Sequence, residues 1–403
     1  MTNAPQVPEP KPAATLLLVR DQPEFQVLMV KRHHQIDFAS GALVFPGGKT
    51  HDGDKDERWS EHAIGWNNLD AVQRTLRIGA IREAFEETGI LLAQTAQGAP
   101  FEGACDASAR SAVETGEIAF IDSLRELAAH PAARGLADDA AVLEIGGESL
   151  VLTKDVMVEG VHWPPQQSLA DVAWKLVAVN LSDLAAKGAE PIGVMLGYAL
   201  GSEDSAFLDG LRAALDAFDV PLLGGDTVSG GDGRTFSLTA IGRATHTPVP
   251  SRAGARPGDG LYLCGSVGGA MMGFEALTGT GRADRTPFTR PTPLLTEGHA
   301  LSPHVTAMMD VSDGLLLDAW RMAQASKVTL SIDSAAVPIA APESRRDDAL
   351  RWGDDYALLF TAPTDAALPV DASLIGLVQE AGDTPLTLDE GALGDPEGLG
   401  YRH

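Results

Sequence analysis

Apolar and polar positions in the first hundred residues fall into runs of strand length and then one helical stretch. Residues 13–20, 25–32 and 41–45 are continuously apolar or alternate with a period of two, which predicts three strands. Residues 70–88 carry a helical pattern that Gly89 ends. Residues 97–117 are small and polar without a period, the texture of a linker. From Ile118 onward strand, loop and helix units repeat. A strand over 149–153 ends at Asp155, and a helix covers 169–187. A strand over 220–223 ends at Gly224, Gly225 and Asp226, and another spans 236–243. After a loop rich in Pro and Gly, residues 247–259, come strands over 261–264 and 305–309 and a helix over 314–325.

This pattern divides the chain into a disordered tail (1–12), a first unit (13–100), a linker (101–117) and two α/β subdomains (118–250 and 251–403). The length of 403 residues supports this, since one hydrophobic core rarely grows so large. Apolar runs such as 16–19 and 194–196 fall far short of the roughly 20 residues of a membrane helix. Residues 1–11 lack the apolar segment of a secretory signal, so a cytoplasmic location with no membrane partner is expected. Cys105 and Cys264 form neither a disulfide framework nor a zinc pattern and read as free thiols. The formal net charge of −26 argues against a nucleic-acid partner. It permits small phosphorylated ligands, provided divalent cations such as Mg²⁺ stand between the two sets of negative charge.

The aspartates carry the chemistry. Asp139, Asp155, Asp183, Asp226, Asp310 and Asp313 mostly follow apolar runs directly, where strands end and binding loops begin. Taken singly, each reads more readily as a helix cap or turn residue, the commonest use of Asp. Their setting is more specific: LADDAAVL (136–143), KLVAVNLSDLAAKGAEP (175–191), LLGGDT (222–227), SRAGARPGD (251–259), MDVSDGL (309–315) and GDDYALLF (353–360) occur in that order. Together they resemble the thiamine-monophosphate kinase family, part of the ATP-binding superfamily that includes aminoimidazole ribonucleotide (AIR) synthetase.

That resemblance implies an α/β (α+β) fold, a two-subdomain PurM/AIR synthetase-like kinase, and transfer from ATP to thiamine monophosphate. It implies Mg²⁺ held around the nucleotide phosphates at Asp139, Thr153, Lys154, Asp155, Asp183, Asp226, Asp310 and Asp313, with the Lys154 contact made by the backbone. It places ATP against Gly225, Asp226, Arg252 and Ser312, gives the transfer step to Asp226, Asp313 and Arg252, and puts thiamine monophosphate against His162 and Asp354. A homodimer through the first subdomain is also implied. The chain departs from the family pattern in places. Asp354 replaces a Glu, Trp352 stands where Gly is usual, and residues 265–269 lack an Asp. Gly398 or Leu399 falls where an aromatic stacks on the substrate ring. A phosphate monoester is already anionic near neutral pH, so the reaction needs alignment and charge neutralisation rather than a base.

In the first unit, REAFEETGI (82–90) places Glu83, Glu86 and Glu87 at i, i+3 and i+4, on one helix face. An exposed acidic face would account for them. With FPGGK (45–49) they resemble the Mg-binding helix and glycine turn of Nudix hydrolases, which implies a partial Nudix-like α/β unit. Asp54 stands at the box's first Glu, about 20 extra residues separate its halves, and the frame after the box is short. Three readings stay open: a degenerate unit, a Mg-dependent diphosphate hydrolase, and a non-catalytic module.

Overall fold

A computed structural model describes residues 13–15, 19–20, 26–27, 30–31, 43–44, 47–49, 55, 69–88, 124–125, 127–229, 234–396 and 398–401. The chain separates into two compact units, Met1–Ile118 and Ala119–His403. In the first, β1 (Ala13–Thr15) pairs antiparallel with β6 (Gly47–Lys49), β2 (Val19–Arg20) with β3 (Gln26–Val27), and β4 (Val30–Lys31) with β5 (Leu43–Val44). Helix α1 (Ala71–Thr88) starts where Asp70 Oδ1 accepts the Gln73 N–H at 2.8 Å, satisfying one of the free amides of its first turn, and packs on β1 and β6. All of Asp54 and Cys105, and the side chains of Glu83, Glu86 and Glu87, lie outside the described residues.

The second unit begins with β7 (Ala141–Ile145), β8 (Glu148–Val158), α2 (Leu169–Ala186), β9 (Ala189–Leu200), α3 (Asp204–Phe218), β10 (Leu222–Ser229) and β11 (Thr235–Ala244). Five strands form one sheet in the order β10-β9-β11-β8-β7, antiparallel except for β10 against β9. Residues alternate across a strand, so Val151, Thr153 and Met157 of β8 face inward while Lys154 and Val156 face out. The inner face packs on α2 and α3 through Trp163, Tyr198, Phe207 and Phe236. Helix α2 is apolar almost all round because it is covered on every side, by the sheet, by α3 and by elements of the following subdomain.

The following subdomain comprises β12 (Asp259–Cys264), α4 (Gly269–Thr278), α5 (Thr286–Thr289), α6 (Leu295–Leu301), β13 (Ala307–Asp310), α7 (Leu315–Ser326), β14 (Thr329–Ile332), α8 (Arg346–Arg351) and β15 to β18 (Leu358–Pro363, Ser373–Gln379, Leu386–Leu388, Gly391–Leu393). Its seven strands run β13-β15-β12-β16-β14-β17-β18. One face buries α7 against Leu261, Leu330 and Leu359; the other meets α6 and the end of α2 through Phe360, Leu301 and Ala185. Cys264 is a buried free thiol.

Three differences from the sequence expectation affect the site. The strand expected over 149–153 and ending at Asp155 is β8, and it runs on to Val158 because its pairing with β11 continues, so Asp155 lies inside it. The strand expected over 220–223 is β10, and it contains the whole of Gly224, Gly225 and Asp226, because its backbone pairs in parallel with β9 as far as Ser229. The long strand β9 was not expected; its Pro191, Gly193 and Gly197 interrupt the apolar run that would have announced it. Among the described residues no helix is long and apolar enough to cross a membrane.

Candidate active site

Asp139 lies in the turn before β7, Asp183 in the last turn of α2 and Asp310 at the end of β13. One carboxylate oxygen from each falls within 4.8 Å of the others. Three segments far apart in sequence therefore deliver three anionic groups to one point. Hydroxyls fix two of them: Ser182 Oγ donates to Asp310 Oδ2 at 2.6 Å, and buried Thr153 donates to Asp183. Asp155, on the inner face of β8, joins the cluster.

Such a cluster resists full ionisation. Burial first, then Asp139 and Asp313, raises the Asp155 carboxyl to about 6. Burial and Asp139 raise Asp310 to about 8 against the opposing Ser182 hydrogen bond. Burial, then Asp155, Asp310 and Asp139, push Asp183 well above the usual range. Oxygen donors packed this closely suit a hard divalent cation such as Mg²⁺, whose charge would remove the penalty.

Cations of the protein stand behind the cluster. Burial alone would depress Lys187, but Asp139 and Asp138 outweigh it and its ammonium stays charged, 2.6 Å from Asp139 Oδ2 and 2.5 Å from Asp138 Oδ1. Arg252 pairs with Asp139 Oδ1, Arg321 pairs with Asp313, and Arg321 Nη1 also lies 3.0 Å from fully buried Asp318. Asp318 Oδ2 accepts the N–H groups of Ser312 and Asp313 at 3.1 and 3.0 Å, which sets the loop carrying Asp313. Burial, then Asp313, raises the Asp318 carboxyl to about 7.

From the cluster a cleft of about 830 Å³ runs along α2 past Val179 to Lys175. Lys175, Val179 and Asp183 recur every four residues and so share one stripe of the helix. At the far end Lys175 Nζ lies 2.8 Å from Asp354 Oδ2 and 3.9 Å from the centre of the Phe288 ring. The Tyr356 hydroxyl donates to Asp354 Oδ1 at 2.7 Å. His162 lines the same cleft, its Nδ1 accepting the Val158 N–H at 2.9 Å. Phe274, Trp352 and Tyr401 add aromatic wall. Two glycines allow this end to form. A Cβ at Gly353, which has φ +96°, would stand 2.6 Å from Ser312 O, and one at Gly314, with φ +113°, 2.6 Å from Arg351 O. The loops at 312–314 and 351–354 can thus close on each other, and the Asp354 N–H donates to Ser312 O at 2.7 Å.

Of the residues singled out from sequence, Asp139, Thr153, Asp155, Asp183, Asp310, Asp313, Arg252 and Ser312 meet around the cluster, and His162 and Asp354 share the far end. Asp226 and Gly225 do not join them within one chain. They occupy the exposed edge strand β10, and Asp226 aligns through Gly197 and Ser237 with Val156 of β8, three strand steps away and on the order of 14 Å along the sheet. The Lys154 side chain points outward and reaches Ser237 Oγ at 3.2 Å, because alternation puts it on the face opposite Thr153 and Asp155. Leu399, which stands where the family pattern has an aromatic, is buried in the core, and Tyr401 lines the cleft instead. Sequence reading passed over Lys187, Lys175 and Asp318. A lysine at the end of an otherwise apolar helix stretch was the available signal for Lys187.

The AIR synthase related protein N-terminal domain matches residues 137–244 and the AIR synthase related protein C-terminal domain residues 256–382, together more than half the chain. The thiamine-monophosphate kinase of Caulobacter vibrioides is 38% identical over 278 residues, covering 63% of this chain and 79% of that protein. That of Salmonella typhimurium is 35% identical over 294 residues, covering 66% and 86%. Among solved structures, AaThiL complexed with AMPPCP and TMP is similar with a TM-score of 0.63 at 27% identity, over 71% of this chain and 97% of that one. The thiamine-monophosphate kinase from Stenotrophomonas maltophilia is similar with a TM-score of 0.56 at 34% identity, over 68% and 96%.

Proposed function

The chain belongs to the thiamine-monophosphate kinase family, and on that premise we propose that it transfers the γ-phosphoryl group of ATP to the phosphate of thiamine monophosphate, forming thiamine diphosphate. The observation that carries this reading is the meeting of Asp139, Asp183 and Asp310 at one end of a cleft whose other end offers Asp354, His162 and aromatic rings. Asp139, Asp155, Asp183 and Asp310 would hold Mg²⁺, which when bound supplies charge neutralisation for the phosphates. Arg252 would meet the ATP phosphates, Asp318 holds the Ser312–Asp313 loop in place, and the aromatic end holds the acceptor ring. The acceptor phosphate attacks in line without a base, so rate comes from alignment and electrostatics. The test is formation of thiamine diphosphate by the full chain from ATP, thiamine monophosphate and Mg²⁺, and its loss in Asp183→Asn. No product from the unaltered chain, with other phosphorylated acceptors accepted instead, would overturn the substrate.

A homodimer is part of the proposal. The outer face of the five-stranded sheet and its edge expose Val156, Met195, Leu222, Leu223 and Val228, between 44% and 54% of each, an apolar surface that a second copy would cover. A second copy there is also the route by which Asp226 and Gly225 could reach a carboxylate cluster. Met195→Glu should yield monomers by light scattering; an unaltered mass from both proteins would remove this interface. For the first unit we propose the Nudix-like relation, supported by the packing of α1 on the glycine strand β6. Mg-dependent diphosphate hydrolysis by full-length Asp183→Asn, abolished by adding Glu86→Gln, would make it an active hydrolase.

A further inference from the structure

Five charged side chains alternate in sign behind the carboxylate cluster: Arg134, Asp138, Lys187, Asp139 and Arg252. Arg134 lies 2.6 Å from Asp138 Oδ2 and also donates to the carbonyl oxygens of Pro250 and Val249 at 2.9 and 3.0 Å. Lys187, with no exposed side-chain surface, bridges Asp138 and Asp139 and donates to Met308 O at 3.3 Å, so it spans both subdomains. Arg252 ends the row on Asp139 Oδ1, and its side chain keeps about a fifth of its surface open, 20%.

The two cations on Asp139 are therefore not equivalent. Lys187 is enclosed and held by three oxygens. Arg252 is partly open and pairs with Asp139 Oδ1, on the same carboxylate that comes together with Asp183 and Asp310. A divalent cation at that point and the guanidinium compete for one carboxylate and repel each other.

We propose that Arg252 is an exchangeable counterion of Asp139 and Lys187 a permanent one. Entry of a divalent cation releases Arg252 from Asp139 toward the nucleotide phosphates, while Lys187 keeps Asp139 in place through the exchange. Cation and nucleotide then bind with positive coupling, because each favours the arrangement the other needs. The proposal rests on the preceding reading that this cleft takes ATP and a divalent cation.

The experiment titrates Mn²⁺ into the full chain, reading free Mn²⁺ by electron paramagnetic resonance, with and without AMPPCP, and subtracts the Mn²⁺ that the same AMPPCP holds without protein. Unaltered protein should bind Mn²⁺ weakly alone and more tightly with AMPPCP, by a factor within the 5- to 150-fold range of ordinary coupling. Arg252→Gln should bind Mn²⁺ alone more tightly, on the order of tenfold, and lose most of the gain from AMPPCP. Arg252→Lys, which restores a competing charge, should return toward the original behaviour. Lys187→Met should also bind Mn²⁺ more tightly alone, yet keep the AMPPCP gain. If Mn²⁺ affinity without nucleotide is unchanged or weaker in Arg252→Gln while the unaltered protein binds normally, the exchange is overturned. If the unaltered protein takes up no Mn²⁺ even with AMPPCP, the divalent-cation reading fails first and the exchange with it.

Discussion

Replacing Lys187 by Met removes one buried positive charge and keeps an unbranched stem of similar length. Its Nζ lies 2.5 Å from Asp138 Oδ1 and 2.6 Å from Asp139 Oδ2 with the side chain 0% exposed, so both carboxylates lose a partner that water cannot replace. Breaking a buried pair from one side costs about 3–5 kcal/mol. Here Asp138 retains Arg134 and Asp139 retains Arg252, which places the loss at the lower end, about 3 kcal/mol. At no more than roughly 2–4 °C per kcal/mol, the conversion for units of about 150–250 residues, the melting midpoint of the larger unit Ala119–His403 should fall by up to about 6–12 °C. Scanning fluorimetry of the full chain in a chelator measures this directly. Saturating Mg²⁺ should restore more stability to the variant than it adds to the parent, since the cation finds one more uncompensated charge. A midpoint within about 2 °C of the parent in the chelator would show that the ion row adds little to stability, and the reasoning would be wrong.

The acidic cluster sets a pH dependence. Asp155 and Asp310 have folded values of about 6 and about 8 against an ordinary 3.8, so the folded chain binds more protons than the unfolded one. Their contribution is fully present below pH 4 and is lost as pH rises through 6 and 8. Without metal the melting midpoint should therefore fall from pH 5 to 8.5, and Mg²⁺ should flatten the slope; a rise across that window in chelator would contradict the assignment. Asp318→Ala frees the amides of Ser312 and Asp313 and should lower kcat on the order of 10²-fold with little change in circular dichroism; kcat within twofold of the parent would remove its positioning role. Gly210→Ala would bring a Cβ to 2.1 Å from Ala170 O where α3 crosses α2, so overpacking of about 1–3 kcal/mol should outweigh the helix gain of about 1 kcal/mol and lower the urea midpoint.

Much of this molecule could be read from residue order alone. Residues 169–187 announced α2 by a long, almost unbroken apolar run free of Gly and Pro, and 314–325 announced α7 by apolar positions at helical spacing, both local properties. The aspartates after apolar runs could be marked as candidates, although Asp155 and Asp226 lie inside β8 and β10 and Asp183 inside α2 rather than where strands give way to loops. The family resemblance rested on six ordered motifs and needed no coordinates.

Distances between segments were beyond that pattern. Asp139, Asp183 and Asp310 are neighbours only because helix α2 is buried between the five-stranded sheet and β13, a packing fixed by surfaces from both subdomains. Lys187 reads in sequence as one lysine in a small-residue turn; tertiary structure encloses it and makes it the partner of two carboxylates. Parallel pairing with β9 likewise carried Asp226 into an edge strand, where no count along the chain would have put it. Periodicity is set by backbone geometry and can be read locally, whereas the company a charged side chain keeps depends on which surfaces the whole unit brings together.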